Sequence, residues 1–133
     1  MNTITATIEF GFKGKQFVLD TPLDLDELMQ KHGLIPPLYD YIARTHNIDS
    51  YSYEYEILLS EGIQFSNPST WVTNFVDNKH FDQVAFAQQW QERHILEKLA
   101  PQIKQQLAID NIQQHPKLKD LILTAYNYGK QAS

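Results

Sequence analysis

The strongest constraint on what this chain can fold into is an alternation near its start. Residues 3–12 read TITATIEFGF, placing Ile4, Ala6, Ile8, Phe10 and Phe12 between Thr3, Thr5, Thr7, Glu9 and Gly11. Successive side chains on a strand point to opposite faces, so this run has one apolar and one polar face and predicts a strand that covers a core on one side. The KGK at 13–15 supplies a glycine for a positive-φ turn and QFVLD returns the chain, which predicts a hairpin over residues 3–20. Pro22 is expected to end it, because proline has no N–H to give a ladder.

After the hairpin the period changes. PLDLDELMQKHG offers Asp24 as an N-cap, Glu27 three residues on, and Gly33 past the end, predicting a short helix over 24–32. A second short helix over 37–46 follows from Leu38, Tyr41 and Ile42 at helical spacing, with Pro37 suited to the first turn.

Residues 50–60, SYSYEYEILLS, fit period two better than 3.6. Tyr51, Tyr53, Tyr55, Ile57 and Leu59 then share one strand face, and Ser50, Ser52, Glu54, Glu56 and Ser60 the other, with Leu58 out of place. A strand is expected here, although Asp49 or Ser50 could instead cap a helix. SEG at 60–62 permits a turn into IQF, a further short strand.

SNPSTWVTN has the composition of a linker. Beyond it Phe81, Val84, Ala85, Trp90, Ile95, Leu96, Leu99 and Ile103 recur at helical spacing. Pro101 is expected to break or kink that run, since proline inside a helix costs about 3 kcal/mol. HPKLKDLILTAYNYG predicts a last helix with Pro116 early in it and Gly129 past its end. The expected architecture is a single α+β domain over 1–133, sheet-rich in 1–66 and helix-rich in 67–133. Its antiparallel N-terminal sheet combines the 3–20 hairpin with strands in 51–65, short helices are inserted, and a helical layer closes the C-terminal side.

Composition narrows the chemistry. The chain has 133 residues, 42% of them hydrophobic, enough to bury a core without staples. It has no cysteine, which removes thiolate nucleophiles, disulfides and cysteine-held metals. Residues 1–66 carry ten acidic against four basic side chains and residues 67–133 six against seven, so nucleic-acid binding is disfavoured. No stretch approaches the roughly 20 apolar residues of a membrane span, and the start lacks a signal-peptide pattern. A soluble, unprocessed, cytoplasmic protein is the expectation.

Candidate functional residues fall in two sets. Tyr51, Tyr53 and Tyr55 in a row could stack on a flat ligand, with Glu54 and Glu56 as an acid–base pair about 6.5–7 Å apart on the opposite strand face. His94 lies one turn after Trp90 on a helical pattern and joins this ligand-binding set. The second set joins Trp71 and Phe75, which follow the linker, to Ile109 and Ile112 in a helical segment apolar on more than one side, and marks a candidate interface. Asp77, His80 and Asp82 in DNKHFD come nearest to a metal cluster, but their spacing suits capping and solvation better, so no metal site is expected. The five glycines are dispersed and no nucleophile elbow, phosphate loop or paired-histidine motif occurs, so no cofactor is expected. A non-enzymatic module for self-association or protein docking is therefore the leading functional expectation. The alternative is a small-molecule or enzymatic pocket between sheet and helices, using tyrosine with glutamate or histidine.

Overall fold

The structure, a computed structural model, describes residues 1–132. The chain forms two compact units, residues 1–87 and the segment from Gln88 onward. In the first, β1 (Thr3–Phe12) and β2 (Lys15–Asp24) make the hairpin, and β3 (Gln64–Ser66) pairs antiparallel with the other edge of β1, giving the order β2-β1-β3. The class is α+β, with short helices after the hairpin and a helical C-terminal region.

Lys13 and Gly14 both take positive φ at the hairpin tip, the two-residue turn whose twist matches that of paired strands. One sheet face is built as the alternation predicts. Ile4, Ala6, Ile8 and Phe10 are buried opposite Leu23, Thr21, Leu19 and Phe17, and the Phe10 and Phe17 rings stack at 4.8 Å. Pro22 does not end β2, which runs on to Asp24 with Pro22 opposite Thr5. The strand lies at the sheet edge, where a missing N–H leaves no neighbour unpaired.

Helix α1 (Leu25–His32) starts and stops on the signals its sequence carries. The Asp24 carboxylate accepts the Glu27 N–H at 3.1 Å, and Gly33, at φ 70°, donates its N–H to the Met29 carbonyl at 2.8 Å. The N-terminus is fastened beside it, because Asn2 gives both its backbone N–H and its side-chain amide to Asp26, each at 2.9 Å. Helix α2 (Leu38–Thr45) buries Leu38, Ile42 and Ala43.

Residues 53–60 form helix α3 (Tyr53–Ser60), not the strand that alternation predicted. The reason is local. Asp49 and Ser52 fold the preceding residues into a turn: Ser52 donates its hydroxyl to the Asp49 carbonyl at 2.6 Å and accepts the Tyr55 N–H at 3.2 Å as N-cap. Glu54 and Glu56 then occupy the first turn, where the helix dipole favours negative charge. Leu58, the residue that violated period two, is fully buried, and α3 packs against β1.

The segment with linker composition is part of the core. Ser69 clasps Thr3, accepting its N–H on the hydroxyl and donating its own N–H to the Thr3 carbonyl, both at 2.9 Å. A 3-10 turn over Val72–Phe75 then buries Val72 and Phe75. Trp71, Phe75, Phe81 and Phe86 surround one another with ring centroids 5.1–5.6 Å apart, and Phe65 joins them through Phe81. Residues 76–81 are a minimal hairpin of β4 (Val76–Asp77) and β5 (His80–Phe81), with Asn78 and Lys79 at positive φ in its turn.

Helix α4 (Gln83–Leu107) opens with Asp82 accepting the Ala85 N–H at 3.1 Å and runs unbroken through Pro101. From Gln88 onward the second unit consists of the rest of α4, a connection with a 3-10 turn at Ile112–Gln114, and α5 (Pro116–Ala132). Gly129 lies inside α5 rather than beyond it. Among the described residues no helix is long and apolar enough to cross a membrane.

Candidate functional site

The second unit carries a pair of exposed large apolar side chains on its last helix. Residues of α5 seven apart return to the same side after two turns, about 10 Å along the axis. Leu121 and Tyr128 stand in that relation and are 65% and 69% exposed. Ala125 and Thr124 lie exposed between them, and Thr124 turns its hydroxyl back to the Asp120 carbonyl at 2.7 Å. The result is a narrow apolar stripe facing solvent.

The opposite side of α5 accounts for its packing. Ile122, Leu123 and Tyr126 are half-buried there, Asn127 donates to Glu92 of α4 at 3.4 Å, and Lys130 bonds Gln91 and lies 5.9 Å from the Tyr126 ring centre. The helix is thus apolar on two sides and uses one of them within its own unit. Between α4 and α5 lies a cavity of about 390 Å³ with Leu96, Ile112 and Leu123 among its walls. Its rim is charged, with Glu92, Glu97 and Asp110 near Arg93 and Lys119. Lys119 already donates to Gln113 at 2.8 Å and Asp110 lies 3.6 Å from Lys104, so much of that polarity is internally satisfied.

The residues marked in the sequence disperse. Tyr51 and Tyr53 are 97% and 74% exposed before and at the start of α3, with no row of tyrosines because the backbone is helical. Glu54 is half-buried, Glu56 is exposed, and both serve the first turn of α3. Tyr55 alone of this group lines a cleft. Its hydroxyl donates to Asp40 of α2, and that bond raises its pKa above the ordinary phenol value because only the neutral phenol can donate. His94 stacks flat on Trp90 at 4.9 Å between ring centres.

Of the interface candidates, Phe75 is buried and Trp71 half-buried in the aromatic core of the first unit. Ile109 and Ile112 are half-buried in the α4–α5 connection, and Ile112 faces the cavity. Asp77 and His80 are partners across the β4–β5 hairpin, and among the described residues no three His, Cys, Asp or Glu side chains gather as a metal site.

Two polar arrangements were not anticipated from sequence. The Asp40–Arg44 spacing on α2, with the Asp49–Ser50 turn, builds the cleft around Tyr55. Thr21, 1% exposed, meets Nε2 of His46 at 3.1 Å, and the same nitrogen is 3.1 Å from the Asp20 carbonyl. A carbonyl can only accept, so toward Asp20 it is Nε2 that donates. Comparison with protein-family models, with curated proteins and with solved structures finds no match for this chain.

Proposed function

We propose that this protein acts by binding another protein surface, in the first instance a second copy of itself, through the outer face of α5. One observation carries the proposal: Leu121 and Tyr128, one heptad apart on the same helix, are 65% and 69% exposed, while the other side of that helix is already packed. Large apolar side chains aligned on a helix are the usual anchors of helix-mediated recognition, and burying such a pair removes water from both partners. A cytoplasmic setting belongs to this proposal. The alternative, a small-molecule or enzymatic pocket built on the sequence-marked tyrosines with a glutamate or histidine, draws support at Tyr55 alone.

Sedimentation velocity over a wide concentration range tests the proposal, comparing the wild type with the Leu121→Glu/Tyr128→Glu variant. Both positions are exposed, so the variant should keep its helical circular dichroism. The wild type is expected to gain mass with concentration and the variant to stay monomeric. A wild type that remains monomeric to millimolar concentration, and that captures protein partners no better than the variant, would overturn the proposal.

A further inference from the structure

The first unit holds a cleft of about 360 Å³ that the α5 surface does not involve. Helix α2 contributes Asp40 and Arg44, one turn apart and so on the same side, with Cβ atoms about 5–6 Å apart by helix geometry. The connection to α3 adds Ile48, Asp49 and Ser50, and α3 adds Tyr55. An acid and a base at this spacing ordinarily close on each other. Here they do not: Oδ1 of Asp40 is engaged by the Tyr55 hydroxyl, and the Arg44 side chain makes no ion pair or hydrogen bond among the described residues. Also lining the cleft, Asp49 accepts the Tyr51 N–H on Oδ1 at 2.9 Å, leaving its second oxygen open.

The open groups are therefore two carboxylate oxygens and a guanidinium, around a small apolar floor of Ala43 and Ile48. A simple anion would meet Arg44 but face two carboxylates, and a simple cation would meet the carboxylates but face Arg44. A molecule carrying both charges as substituents of one carbon satisfies all of these groups at once. Its carboxylate can take a bidentate pair from the guanidinium while its ammonium donates to Asp40 and Asp49. The volume lies within the range of small-molecule sites, and the floor accommodates a short aliphatic side chain. We infer that this cleft is a binding site for a free α-amino acid with a small apolar side chain.

The test is a titration of ¹⁵N-labelled protein with L-valine, followed by amide chemical shifts, in the wild type and in the Arg44→Ala and Asp40→Asn variants. Asparagine retains an acceptor for Tyr55, and Arg44 is exposed, so unchanged spectra away from the cleft will report an intact fold. Saturable shifts confined to residues 40–50 and Tyr55 are expected, weakened roughly tenfold to a hundredfold in each variant, as befits loss of a hydrogen bond to a charged group. Acetate and isobutylamine, each bearing one of the two charges, should shift the same amides far less. The inference is overturned by the absence of saturable shifts with L-valine, by equal affinity in the variants, or by equal binding of acetate, isobutylamine or methyl α-D-glucopyranoside. None of these outcomes depends on the α5 stripe, which lies in the other unit.

Discussion

At the scale of single residues, Thr21 is the one fully buried polar side chain among the described residues, and it has a partner. Thr21 sits on the inward face of β2 opposite Ala6, where an aliphatic residue would be expected, and His46 comes from the end of α2 to meet it. Removing His46 leaves the Thr21 hydroxyl buried without a partner, so His46→Ala should cost about 1–3 kcal/mol. Thr21→Val keeps the shape, and the imidazole still has the Asp20 carbonyl, so its cost should be smaller, about 1 kcal/mol. Urea unfolding of the two variants and their double mutant checks both values. A double mutant no worse than His46→Ala would confirm that the pair acts as one unit. Tyr55 gives a pH signature. Its folded pKa is raised by donation to Asp40, so the stabilisation is complete below the unfolded phenol pKa and is lost as pH rises through the folded one. The difference in urea midpoint between the wild type and Tyr55→Phe should therefore be constant through neutral pH and shrink in the alkaline range. A difference independent of pH would show that the hydroxyl bond is not formed in solution.

At the scale of elements, Pro101 separates local preference from context. It stands inside α4, where it lacks the N–H that would reach back one turn, yet the helix continues to Leu107. Pro101→Ala should stabilise the protein, by up to about 3 kcal/mol where packing does not offset the gain. Thermal unfolding followed at 222 nm measures it, and a lower melting temperature would mean that packing at this position depends on the proline. The same contest decided which elements were legible in the sequence. Helix α1 was, because Asp24, Glu27 and Gly33 are local signals that the tertiary structure leaves intact. The hairpin was also legible from its alternation, although Pro22 concealed how far β2 extends, since edge position is a property of the sheet and not of the strand. Helix α3 was not, because three tyrosines at period two imitate a strand while Ser52, a single cap residue, outweighs them. The cleft residues were illegible for a related reason. Asp40 and Arg44 read as an ordinary surface pair until Tyr55, fifteen residues after Asp40, occupies one member of it.

At the scale of the molecule, burial is unevenly shared. Of the twenty buried apolar side chains among the described residues, eighteen lie in the first unit, and only Leu96 and Ile103 lie in the second. A hairpin of helices with so small a core has little hydrophobic stabilisation of its own, since that term scales with apolar area withdrawn from water. Regions with few buried apolar contacts open at lower free energy than the global transition. Amides of β1, between two hydrogen-bonded neighbours, should therefore exchange with solvent only on global unfolding, and amides in the central turns of α5 should exchange through a cheaper local opening. Native-state hydrogen exchange on dilute protein measures both. Repeating it at high concentration links this asymmetry to the proposed self-association. Covering Leu121 and Tyr128 in a second copy stabilises the closed form of α5 by mass action, so its protection should rise with concentration while that of β1 changes far less. Equal opening free energies for α5 and β1 in dilute solution would show that the second unit is not the weaker one. A lower value for α5 that stays fixed at all concentrations would leave the asymmetry standing and remove self-association as its remedy.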